Sequence, residues 1–151
     1  FCAAHLQVGA LPWVSSSLSY EGHNFDLENY YAAGCFFGYL VRTYGAESVG
    51  SVYPTSDYAS VFGKSLPTLE EDWRTWLGQN ISLEGVDSQA LVTLTSEITA
   101  TYERFFPVFN GSLEYVNAYR ELDKARLALL QNRLEDARQH LDTYKTILGL
   151  P

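Results

Sequence analysis

Apolar positions recur at three- and four-residue steps along most of the chain, and no segment keeps the alternation of a half-buried strand. Ala32, Cys35 or Phe36, Tyr39, Leu40 and Thr43 form one such series. It predicts a helix that starts near Asp26, a candidate N-cap with Glu28 in the first turn, and stops at Tyr44-Gly45. Gly34 and Gly38 lie four apart on one side of this helix, which predicts close approach by another helix. A short helix over Ala46 to Tyr53 is broken by Pro54, and a turn over Asp57 to Phe62 ends at Gly63. Ser65 then caps a helix with Pro67 early in it and a stripe of Leu66, Leu69, Trp73, Trp76 and Leu77, ended by Gly78. Glu70, Glu71 and Asp72 read as solvated residues that complement the helix dipole.

Beyond Gln79 to Gly85 the composition turns regularly amphipathic, which divides the chain into a helical region over residues 1–78, a linker over 79–86 and a second helical region over 87–151. Leu91, Leu94, Ile98, Thr101 or Tyr102 and Phe105 mark a long helix capped by Asp87 or Ser88, with Pro107 near its end. The β-branched neighbours between Leu91 and Thr95 continue into this helical spacing, so they do not make a strand. Two out-of-phase series follow: Tyr115, Ala118, Leu122, Ala125, Leu129, then Leu127, Leu130, Leu134, Ala137, Leu141, Tyr144, Leu148. The phase change predicts two helices meeting at Gln131-Asn132-Arg133, with one long bent helix as the alternative. The first 27 residues, with Ser15-Ser16-Ser17, Gly9, Pro12 and Gly22, read as irregular with one short helix. The fold class is mainly α.

One stretch carries a resemblance. Residues 31–77 read YAAGCFFGYLVRTYGAESVGSVYPTSDYASVFGKSLPTLEEDWRTWL. This is similar to the segment after the zinc site in peptidase-MA-like (gluzincin) metallopeptidase domains, Y-x-x-A-G-S-F-x-x-Y-L-x-x-x-Y-G leading to F-G-x-S-L-x-x-L-E-x-x-W. The matching positions are Tyr30 or Tyr31, Ala33, Gly34, Phe36, Tyr39, Leu40, Tyr44, Gly45, Phe62, Gly63, Ser65, Leu66, Leu69, Glu70 and Trp73. The resemblance implies a helical subdomain that supports a catalytic cleft, a zinc ion in the parent protein, and a site outside the cytoplasm or at a membrane. None of the matched residues is catalytic in the family. The phrase ALLQNRLEDARQHLDTY is also similar to the turn of a tetratricopeptide-type hairpin, although one unit makes no array.

The chemistry of the family is missing from this stretch. Its zinc sits on H-E-x-x-H, two His one turn apart on a helix, whereas the three histidines here are His5, His23 and His140. Glu21-Gly22 resembles the family's W-x-x-E-G ligand motif, but Trp13 and Glu21 stand too far apart, so Glu21 reads as a loop carboxylate. Neither metal nor cofactor is expected in this chain. The sequence begins at Phe1 and contains no Met, so it reads as a processed or excised segment whose zinc helix would lie upstream.

Composition bounds the partners. A net charge of −8 and a pI near 4.7 argue against nucleic acid, and 46% hydrophobic residues argue against disorder. No apolar run approaches the roughly 20 residues that span a bilayer. Cys2 and Cys35 could form one disulfide if the chain is extracytoplasmic; the reading favoured for Cys35 is a small buried apolar residue.

Gly63-Lys64-Ser65 resembles the tail of a phosphate loop, but Tyr58 replaces the earlier Gly and no strand precedes it. No Gly-x-Ser-x-Gly elbow occurs, and Glu135-Asp136 read as a solvated face. Trp73 and Trp76, with Tyr30, Tyr31, Tyr39 and Tyr44, could line a carbohydrate or peptide groove, yet their helical spacing favours core packing. Asn80-Ile81-Ser82 and Asn110-Gly111-Ser112 match the glycosylation acceptor pattern. The expected function is the non-catalytic helical portion of a metallopeptidase-like protein, supporting a cleft or mediating association with the upstream parent polypeptide or another subunit. The alternative is a structural or assembly subunit without peptidase activity in the parent.

Overall fold

Every regular element described in the computed structural model is a helix, over residues 1–17, 27–53 and 55–150. The mainly α class follows directly. No helix among the described residues is long and apolar enough to cross a membrane. The chain divides into two units, Cys2–Ser82 and Leu83–Pro151.

The first unit contains α1 (Cys2–Gln7), α2 (Val14–Ser17), α3 (Leu27–Tyr44), α4 (Ala46–Val52), α5 (Tyr58–Phe62) and α6 (Leu66–Asn80). The amino-terminal segment is more regular than its Ser and Gly content suggests. Cys2, Ala3, Ala4 and His5 of α1 are buried, and α1 packs on α3 and α6, so tertiary contacts make a helix that local propensity does not announce. Capping elsewhere follows residue chemistry. Asp57 accepts from the Ser60 N–H at 3.1 Å to open α5, Gly63 closes it at φ 69°, and the Ser65 hydroxyl accepts from the Thr68 N–H to open α6. Gly78 does not end α6; the helix runs two residues further, to Asn80, and the Ile81 N–H closes it on the Leu77 carbonyl. Asp26 and Pro54, read as a cap and a breaker, lie outside the described residues, as do Glu21 and His23.

The second unit contains α7 (Ser88–Phe105), a 3-10 turn (Phe106–Val108), α8 (Leu113–Leu130) and α9 (Leu134–Ile147). Asp87 caps α7 by accepting from the Ala90 N–H at 2.9 Å. The two leucine series resolve into an antiparallel hairpin. Asn132 at φ 56° follows α8, the Asn132 N–H donates to the Leu129 carbonyl, and the Arg133 N–H donates to that of Ala128. This is a Schellman closure, with Asn supplying the left-handed residue that a helix interior disfavours. Ala118, Leu122, Ala125, Ala128 and Leu129 of α8 and Ala137, Leu141 and Tyr144 of α9 are buried, the alanines letting the axes approach. Leu127 and Leu130 depart from the expectation. They belong to α8, on its outer side, and are exposed.

Candidate functional site

The large apolar motif positions of the first unit occupy its interior. Phe36, Leu40, Leu69 and Trp73 are fully buried, and Tyr39 and Phe62 nearly so. Their rings interlock: Phe36 meets Trp73 edge-on at 5.5 Å, Tyr39 lies 5.6 Å from Trp76, and Tyr44 lies 4.8 Å from Phe62. Gly45, at φ 88°, and Gly63 supply the left-handed backbone at the ends of α3 and α5, where a side chain would be strained. Tyr31, Ala33 and Leu66 are half-buried at the margin.

Other motif positions, Tyr30, Gly34, Gly45, Gly63 and Ser65, are exposed, and Gly34 stands four residues from Gly38 on α3. Both of these α3 glycines are exposed, and a Cβ built on either meets no described atom within 4 Å, so none of the described helices makes the expected close approach. They lie on the outer side of α3, opposite the Phe36–Leu40 face. Cys35, half-buried rather than a buried free thiol, is bonded to Cys2 with Cα atoms 6.6 Å apart, which ties α1 to α3.

Glu70 overturns the solvated reading of the acidic run. It is fully buried, its carboxyl oxygens accepting from the Val14 and Ser15 N–H groups, the latter at 3.1 Å. One turn along α6, Arg74 donates to the Leu11 and Pro12 carbonyls at 2.8 and 2.7 Å, and its guanidinium lies 3.9 Å from the Trp13 ring centroid. Burial lowers the Arg74 pKa from its ordinary value, and the Glu70 charge opposes that shift. Together Glu70 and Arg74 clamp the connection between α1 and α2 onto α6. The sequence held a signal for this: Glu70 completes the 66, 69, 70, 73, 77 stripe, so its register is that of a core residue. The run of three acidic residues masked it.

An open cleft of about 610 Å³ lies beside this core, lined by Phe37, Val52, Tyr53, Asp57, Tyr58 and Leu66 among others. Burial raises the Tyr58 pKa from its ordinary value, so its hydroxyl stays protonated at neutral pH. Asp57 is engaged as the α5 cap, with its pKa lowered by the Ser60 hydrogen bonds. Among the described residues that line the cleft, no hydrogen bond pairs a nucleophile with a base. The groove reading of the aromatic residues divides accordingly: Trp73 is core, Trp76 is half-buried with Arg42 over its ring at 5.5 Å, and Tyr30 is exposed.

In the second unit the polar contacts cross-brace helices. Glu97 of α7 receives Lys145 at 2.9 Å and Arg138, both from α9, and Glu121 of α8 meets Lys124 at 2.6 Å and His140 at 2.7 Å. The expected solvated pair is partly engaged, since Asp136 holds Arg133 while Glu135 is exposed. Of the described histidines, His5 is buried in α1 and His140 sits on α9; among the described residues no three His, Cys, Asp or Glu side chains group to hold a metal. No family model matches the chain, and no curated protein or solved structure matches it.

Proposed function

We propose that this chain is the non-catalytic helical portion of a metallopeptidase-like protein, in which the first unit supports a cleft and the second serves association. One observation carries the reading: the large apolar residues of the gluzincin-like pattern, among them Phe36, Leu40, Leu69 and Trp73, are spent on packing, while Gly45, Gly63 and Ser65 are spent on turns and a cap. Exposed Leu127 and Leu130 on α8 supply the apolar positions that another subunit, or the parent polypeptide, would cover. The Cys2–Cys35 bond supports a site outside the cytoplasm, because disulfides persist in oxidising compartments. Zinc, if the parent binds it, would be held by residues outside the packed core of this chain.

The test is to express the full-length natural protein that contains this chain and measure bound zinc and peptide hydrolysis. Equimolar zinc and hydrolysis, both lost when an upstream H-E-x-x-H is altered, support the proposal. A parent with neither leaves the assembly-subunit reading, which the exposed leucines of α8 favour.

A further inference from the structure

The two glycosylation patterns of the sequence stand in different local structures. Asn80 is the last residue of α6, and its side-chain amide nitrogen donates to the Trp76 carbonyl at 2.9 Å. To serve as a nucleophile that nitrogen must leave the helix end, and the turn around Ile81 must be undone, because the Ile81 N–H closes the helix on Leu77.

Asn110 stands in a connection between the 3-10 turn and α8, where Asn110, Gly111 and Ser112 are all exposed. Its Oδ1 accepts from the Ser112 N–H at 3.0 Å, whereas its Nδ2 has no hydrogen-bond partner among the described residues. Gly111 at φ 75° lets the chain double back so that the Asn110 amide and the Ser112 residue face one another. The Ser112 hydroxyl makes only a long contact, 3.5 Å, with the Tyr115 N–H.

The surroundings of Asn110 are apolar and uncovered. Phe106, Val108 and Phe109 on one side and Leu113 on the other are 46% to 74% exposed.

We propose that Asn110 is the preferred acceptor of an N-linked glycan in the folded protein, and that Asn80 is a markedly poorer one. The donor class is a lipid-linked oligosaccharyl pyrophosphate. The anomeric C–O bond to the pyrophosphate breaks, the anomeric carbon bonds to Nδ2 of Asn110, one amide proton passes to a base of the transferase, and the lipid pyrophosphate leaves. The attached sugar then stands over the Phe109 and Leu113 patch and keeps it from self-association. The proposal rests on the extracytoplasmic reading for its setting, and its test is independent of that reading.

The folded, disulfide-bonded chain and its Asn80→Gln, Asn110→Gln and Ser112→Ala variants are incubated with purified oligosaccharyltransferase and lipid-linked donor, and site occupancy is read by glycopeptide mass spectrometry. Short peptides carrying each acceptor pattern run beside them. Expected is modification of both peptides, and in the folded chain an Asn110 occupancy roughly five- to tenfold above that of Asn80, the ratio that follows when one site must first break an ordinary hydrogen bond. Occupancy at Asn110 is lost in Asn110→Gln and Ser112→Ala and kept in Asn80→Gln. An unmodified Asn110 in the folded chain, equal occupancy at Asn80, or the same preference already present in the peptides overturns the proposal. Failure of the compartment reading shows separately, as a reduced Cys2–Cys35 pair in protein trapped with a thiol-blocking reagent directly from its natural source.

Discussion

Trp73 is fully buried against Phe36, and its indole N–H has no hydrogen-bond partner among the described residues, so its worth lies in volume and ring contact. Trp73→Ala is expected to cost about 3–5 kcal/mol, the range for emptying a large aromatic site. Trp73→Phe, which keeps a ring and removes the unpaired donor, should cost markedly less. Urea melts of both variants check this, and an alanine loss under about 1 kcal/mol would place Trp73 outside the load of the core. Glu70 makes the opposite kind of contribution. Glu70→Ala leaves the Val14 and Ser15 N–H groups without their carboxyl acceptors; the buried Val14 donor so orphaned costs about 1–3 kcal/mol and the half-buried Ser15 donor less. Hydrogen exchange at Val14 and Ser15 should accelerate in that variant before the rest of the unit opens; unchanged exchange would separate the clamp from the order of α2.

At the scale of elements, the α8–α9 hairpin and the braces on α7 are the checkable features. Spin labels at exposed Arg120 and Thr143 should lie within about 20 Å, given helix axes 8–10 Å apart; a continuous helix would hold them about 35 Å apart at 1.5 Å per residue. Pulsed dipolar spectroscopy distinguishes the two. The braces make stability fall in acid. Burial works to raise the Glu97 pKa, but hydrogen bonds and charge from Lys145 and Arg138 outweigh it, and Glu121 is lowered first by its hydrogen bond from Lys124. Both carboxylates therefore bind protons more weakly folded than unfolded. Their contribution is present above the ordinary value of 4.5 and is lost as pH falls through the lower folded values. Urea midpoints for the second unit should drop below that pH, and Glu97→Gln should flatten part of the drop.

For the molecule as a whole, the disulfide and the metal question set the expectations. The Cys2–Cys35 bond spans a sequence separation of 33, and by chain entropy its reduction should cost the first unit about 3–4 kcal/mol. Thermal melts with and without reductant measure this; equal melting would mean that packing of α1 on α3 and α6 suffices. The isolated chain is expected to bind no stoichiometric zinc, since such sites need three or four well-placed ligands. Elemental analysis decides, and tight equimolar zinc lost on replacing His5, His23 or Glu21 would reverse the assignment.

Periodicity determined the helices from α3 onward, because an amphipathic stripe has only one way to bury itself, and residue chemistry determined the Ser65, Asp87 and Asn132 ends, because caps and left-handed turns are local. The candidate site was legible as a pattern in Phe36, Leu69 and Trp73. Its clamp was not. That α1 is helical, that Gly34 and Gly38 face outward, that Cys35 bonds Cys2 and that Glu70 is buried on Val14 all depend on partners 29 or more residues away or on which side of a helix finds one. Spacing places a residue on a face, and only the tertiary structure decides what meets that face, since burial and pairing are properties of two surfaces together.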